Sequence, residues 1–183
     1  MTGYTSPPPP GAGGVAGEPY FDSPAGHWRL SGWWRRVGAA LIDGLVIALI
    51  AFALLALSGV VAGIGFGIGD TTGVIALILG FMFWALCATV AALLYAPVMM
   101  YRTNGQTLGK MAFGIRVVRA KGQPISFGWA VLREVVVRWL LFNAVLGSVT
   151  FGLAPLLDIL WPLWDEENRA LHDFIVGSRV IRT

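Results

Sequence analysis

Residues 37–57 are apolar except at Asp43. A run of about 20 apolar residues is what a helix needs to cross a bilayer. Trp33 and Trp34 stand at its entrance with Arg35 and Arg36 beside them, the composition of a membrane–water interface. A second apolar run covers residues 74–100, long enough to span with tilt. Pro97 falls near its end, where a proline is tolerated, and Tyr95 and Tyr101 mark the exit. Residues 58–73 between the runs are rich in glycine, with Asp70 as their one charge, and read as a loop on the far side.

Residues 102–121 carry Arg102, Lys110, Arg116, Arg119 and Lys121 and no acid. The positive-inside rule puts this loop and the N-terminus in the cytoplasm. Residues 115–118 are β-prone, and Lys121 and Gly122 offer a turn, which predicts a short β-hairpin. Residues 127–164 allow two readings. One is a helical hairpin, spanning or re-entrant, turning at Gly147 and Ser148 and returning the C-terminus to the cytoplasm. The other is a surface amphipathic helix and a single span that leaves the C-terminus outside. Asp165 is expected to cap a short helix, and residues 174–176 and 179–181 to form strands around Gly177. Residues 1–27, rich in Pro and Gly without apolar periodicity, read as a disordered cytoplasmic tail. The expected fold is an all-α integral membrane protein, with residues 28–183 forming a polytopic helical bundle with a short cytoplasmic β-hairpin.

Asp43 is the anomaly in this pattern. A carboxylate at the centre of a membrane helix costs roughly 2.5–3.5 kcal/mol on insertion scales, and intramembrane charges tend to mark pathways. Arg36 and Asp43 stand at i and i+7 on one face, but about 10.5 Å apart along the axis. The Arg36 side chain leans away toward the N-terminus, so a direct pair is not expected. Asp43 therefore needs a proton, a cation or a partner from another segment, with Arg133 and Arg138 as the basic candidates.

The segment RRVGAALID, residues 35–43, closely resembles the start of the RDD family of small integral membrane proteins. TNGQTLGK with GIRVVRAKGQPIS resembles the family's middle motif, and LHDFIVGSRVI its closing one. The resemblance covers residues 32–181. It implies that Arg36 and Asp43 are the first two residues of the family's name, and that the second Asp is Asp173, with Asp158 as rival because it lies in a more apolar run. It also implies transport of an unidentified ligand, with cation/proton antiport in some members.

Composition adds bounds. The chain is 56% hydrophobic and 13% charged, which is membrane-like. The lone Cys87 excludes an intramolecular disulfide. TNGQTLGK lacks the phosphate-loop spacing and the Ser or Thr that would hold magnesium, and the glycines of 58–73 lack the dinucleotide fingerprint. No Cys or His cluster has metal-ligand spacing, and no nucleophile–base set is present, so no metal, cofactor, nucleic acid or enzymatic reaction is expected. The expected function is transport of a small solute or cation across the bacterial inner membrane. Asp43 would bind a cation or proton, Arg36 would set the potential at the cytoplasmic mouth, and Asp173 would answer it beside His172. A chain this small is expected to form a homo-oligomer or join a larger membrane complex. The alternative is a non-transport subunit or assembly factor in which these charges are structural.

Overall fold

The computed structural model describes residues 20–23 and 26–183. It is mostly helical. Strands β1 (Tyr20–Ser23) and β2 (Gly26–Arg29) form a small antiparallel hairpin. Helix α1 (Trp33–Ile68) then runs out and α2 (Asp70–Arg102) runs back, joined at Gly69 alone. At about 1.5 Å per residue, α1 extends for about 54 Å, more than an apolar layer of about 30 Å requires. Both helices are long and apolar enough to cross a membrane. Their large side chains, Leu45, Phe52 and Val60 on α1 and Leu79, Phe83 and Leu86 on α2 among them, are exposed. Trp84 Nε1 donates to the Ala51 carbonyl oxygen at 2.8 Å and ties the two together midway.

The expected loop over residues 58–73 is instead helix up to its turn. Two causes favour this. The stretch holds no proline and no charge before Asp70, and helix is the local way to satisfy backbone polar groups in an apolar setting. Its glycines also bring the helices together: a Cβ on Gly65 would stand 2.8 Å from Ala76 Cβ and 3.2 Å from Gly73 Cα.

After α2 the chain builds a polar layer at one end of the hairpin. It comprises α3 (Leu108–Ala112), β3 (Ile115–Arg119), α4 (Phe127–Val131), α7 (Leu171–Val176) and β4 (Ser178–Arg182), and beside it stand α5 (Gly147–Val149) and the apolar α6 (Leu153–Leu160), with Phe151, Leu153 and Leu156 exposed. Between α4 and α5, Leu132–Leu146 is wound as a π-helix. Its buried positions are Arg133, Glu134, Val137 and Phe142.

Strand β3 forms where the sequence indicates, but it does not fold back at Lys121 and Gly122. It pairs antiparallel with β4, Val117 opposite Val180. Ser31 N donates to the Val180 carbonyl oxygen at 2.8 Å, and Leu30 bridges Ile181. The start of α1, the basic loop and the C-terminus therefore meet at one end of the α1–α2 hairpin. Met100, Ile115, Val117, Ile125, Ala130 and Val180 form the buried core there.

Residues 127–164 make a helical hairpin. Its turn is at Thr150, Phe151 and Gly152, the last two at φ 51° and 86°, rather than at Gly147 and Ser148, which stay helical. Asp165 closes a non-helical turn, accepting from Glu167 N and Arg169 N, and does not cap a helix. Residues 174–176 are the end of α7 rather than a strand, because Gly177 in the left-handed region stops the helix only there. Most of the expected disordered tail lies outside the described residues.

The crossing at Gly65 yields a paired prediction. Gly65→Val should destabilise by about 1–3 kcal/mol through overpacking. Gly63→Ala, with open space at its Cβ, should stabilise by about 0.5–1 kcal/mol. Thermal unfolding in detergent measures both.

Candidate functional site

Two clusters of charge lie where the polar layer meets α1. The first is centred on Asp173. Its side chain is fully buried, and burying a carboxylate is costly unless it is paired and hydrogen-bonded. Four groups satisfy it. Arg36 Nη1 lies 2.8 Å from Oδ2 and Arg133 Nη2 2.7 Å from Oδ1. Ser178 Oγ donates to Oδ1, and Ala170 N donates to Oδ2 at 3.3 Å, so the same carboxylate caps the first turn of α7.

The cluster extends through Arg133. This guanidinium also pairs with Glu134, and its Nε donates to Ser178 Oγ at 3.2 Å. Glu134 takes Arg138 as a second partner at 3.1 Å, the i,i+4 pair visible in the sequence. His172 Nε2 lies 3.0 Å from Arg133 Nη2, and its Nδ1 lies 2.7 Å from Asp158 Oδ2. Asp158 also accepts from His172 N at 2.8 Å. Asp158 and Asp173, rivals in sequence, are thus both buried in one network, flanking His172.

The second cluster is centred on Asp43. Tyr95 Oη and Gly109 N each donate to Oδ1 at 2.8 Å, and Thr107 Oγ1 donates to Oδ2 at 2.5 Å. Thr107 at the same time caps α3 by accepting from Lys110 N. Gly109 is required by the approach: a Cβ there would stand 2.0 Å from the Ala39 carbonyl oxygen and 2.9 Å from Asp43 Cγ. Asp43 thus clamps α3 and the end of α2 onto α1 through neutral donors. The Asp43 pair with Arg133 or Arg138 weighed from sequence is not formed, because those arginines are committed to Glu134 and Asp173. Arg36 and Asp43 do not pair either.

Both clusters border a cavity of about 580 Å³. Arg36, Asp43, Lys110, Arg133, Glu134, Arg138, Asp158 and His172 line it on the polar side, and Leu41, Ile47, Leu93 and Trp139 on the apolar side. Sequence reasoning singled out Arg36, Asp43, Arg133, Arg138, Asp158, His172 and Asp173; the structure gathers the first six around this space, with Asp173 fully buried behind Arg36 and Arg133. It missed Tyr95, read as an interface marker, and Thr107, Gly109, Lys110 and Ser178. All five lie in or beside motifs already notable for their pattern. Their roles depend on contacts between distant segments, which no spacing encodes.

The pattern is shared beyond this chain. The RDD family matches residues 30–177. The chain belongs to the RDD family. It is 28% identical to the uncharacterised protein YckC of Bacillus subtilis over 153 residues, 84% of this chain and 85% of that one. It is 26% identical to an uncharacterised protein of Haemophilus influenzae, covering 81% of this chain and 76% of the relative. No solved structure matches it significantly. Membership with the two long apolar helices makes this a membrane-type protein. Arg36 and Asp173 are an ion pair, whereas Asp43 serves a separate junction.

Burial would raise the Asp173 pKa, but Arg133, His172, Arg36 and the Ser178 hydroxyl outweigh it and hold the carboxyl well below its usual range. A depressed folded-state pKa contributes stability that is present above the unfolded value, about 3.9, and lost as pH falls through the folded one. Thermal stability should therefore fall as pH drops below about 4, and Asp173→Asn should flatten part of that fall. At neutral pH Asp173→Asn should cost about 3–5 kcal/mol, because Arg36 and Arg133 lose their partner in a buried site. Asp43→Asn keeps an acceptor for Tyr95 and Gly109 and should cost only about 1–2 kcal/mol, the scale of one altered hydrogen bond. Unfolding of both variants in detergent across pH checks the order.

Proposed function

We propose that this chain is a multi-pass protein of the bacterial inner membrane that receives a small solute in the charged cavity and moves it, or helps move it, across the bilayer. In this reading α1 and α2 span the membrane, and the polar layer and both chain ends lie in the cytoplasm, as the basic residues of 102–121 require. The observation that carries the reading is the cavity itself. Buried charges from α1, α3, the π-helix, α6 and α7 converge on it, and its apolar wall continues along α1 and α2 at Ile47 and Leu93. Convergent polar groups in a concave, partly apolar space form a binding site by default. Binding and passage rather than chemical transformation is the proposed activity.

The arrangement favours a solute over a cation held at Asp43. Both Asp43 oxygens already accept hydrogen bonds from Tyr95, Thr107 and Gly109, and a cation would have to displace these donors. Two spanning helices enclose no pathway alone, so a homo-oligomer or a larger membrane complex completes it. One observation supports the other reading, a non-transport subunit: Asp173 bridges Arg36 and Arg133 as a structural tie would.

The test is flux. Liposomes carrying the full chain and a pH-sensitive dye are challenged with gradients of sodium, inorganic phosphate or succinate. At least one gradient should dissipate faster than in protein-free liposomes, and Trp139→Arg, which puts a charge into the cavity wall, should slow it. No flux with any probe would leave the subunit reading standing. Topology is checked by cysteine labelling with Cys87 replaced: a cysteine at Gly67 should react with an impermeant reagent in intact cells, and one at Lys121 should not.

A further inference from the structure

The charged groups of the cavity are unevenly satisfied. Each acid that borders it is saturated by protein donors. Asp43 has Tyr95, Thr107 and Gly109; Glu134 has Arg133 and Arg138; Asp158 has the His172 ring and backbone N–H. Two of the cations are not. Arg36 uses only Nη1 on Asp173, and its Nε and Nη2, both buried, have no partner among the described residues. Lys110 has no carboxylate within ion-pair distance among the described residues. Its Nζ makes a single long contact, 3.5 Å to Thr107 Oγ1. Burial pushes the Lys110 ammonium below its usual range; Glu134 opposes that shift and Arg133 and Arg138 add to it.

A buried donor without an acceptor costs about 1–3 kcal/mol, and more for a charged group. Two cationic side chains that line one cavity and keep donors without acceptors are therefore half of an interaction. The missing half is an acceptor-only, negatively charged group. The apolar side at Leu41, Ile47 and Leu93 suits an attached hydrocarbon body. Resting on the solute-binding reading above, we propose that the cavity binds an anionic group, a phosphate or carboxylate, with Lys110 and the free edge of Arg36 as its ligands. The group can be carried by a soluble anion or by the headgroup of an anionic amphiphile, and both present the same oxygens.

Lys110 tests this, because it takes no part in the Asp173 network. The full chain in nonionic detergent is titrated with inorganic phosphate, with dihexanoyl phosphatidic acid and with dihexanoyl phosphatidylcholine, followed by thermal shift and calorimetry. Saturable binding of phosphate, of phosphatidic acid or of both, without comparable binding of the zwitterion, is expected. Phosphate binding identifies a soluble-anion site and phosphatidic acid alone a headgroup site. Lys110→Met should weaken that binding roughly tenfold to a hundredfold, the loss of one charge-assisted hydrogen bond, and Lys110→Arg should retain most of it. Removing a cation that has no carboxylate partner and one long contact to Thr107 should leave the unliganded Lys110→Met protein at least as stable as the wild type, so failure to fold would itself contradict the proposal. Binding by neither anion, equal binding of the zwitterion, or anion affinity unchanged in Lys110→Met would overturn it. Anion binding without flux in liposomes rejects transport and leaves this site standing, whereas flux without anion binding does the reverse.

Discussion

A buried carboxylate between two arginines governs this structure. Asp173 lies in the last helix, Arg36 in the first turn of α1, and Arg133 in the π-helix. None of the three could be buried alone, since the desolvation of a single unpaired ion costs several kcal/mol. Paired, they bring the beginning, middle and end of the chain to one point. The β3–β4 ladder and the Ser31–Val180 hydrogen bond reinforce the same closure with backbone groups. The cavity exists because this tie draws α6 and α7 over the end of α1 and leaves room beside it.

Asp43 solves a different problem. It lies about two turns further along α1 than Arg36 and holds Tyr95 of α2 and the Thr107–Gly109 turn. The loop leaving α2 is thereby fastened to α1, and Lys110 is presented to the cavity. Arg36, Asp43 and Asp173 thus divide into two jobs. Arg36 and Asp173 close the chain, and Asp43 sets the wall that carries Lys110, a cation without a carboxylate partner.

Much of this was legible in the sequence, for identifiable reasons. The two apolar runs are long enough to cross a membrane, and the charges interrupting them or flanking them are costly enough to be noticed singly. Arg36 and Asp43 stood out on that ground, Arg133 as a candidate partner for Asp43, and Asp173 through the resemblance of LHDFIVGSRVI to the family's closing motif. What could not be read was pairing across long separations. Strand β3 had a turn signal at Gly122 beside it, yet its partner lies at the C-terminus. Thr107 and Tyr95 are ordinary residues until Asp43 is seen between them. The glycines of 58–68 carry loop propensity measured in water, and they are helical here because close packing against Ala76 and an apolar setting reverse that preference.

The central claim is that Arg36 and Asp173 act as one buried unit that closes the chain. A double-mutant cycle with Arg36→Gln and Asp173→Asn, read by unfolding in nonionic detergent, tests it most directly. The account predicts a coupling energy of about 2 kcal/mol or more, at the upper end for residues in one network. Additive effects, with coupling within about 0.5 kcal/mol of zero, would contradict it.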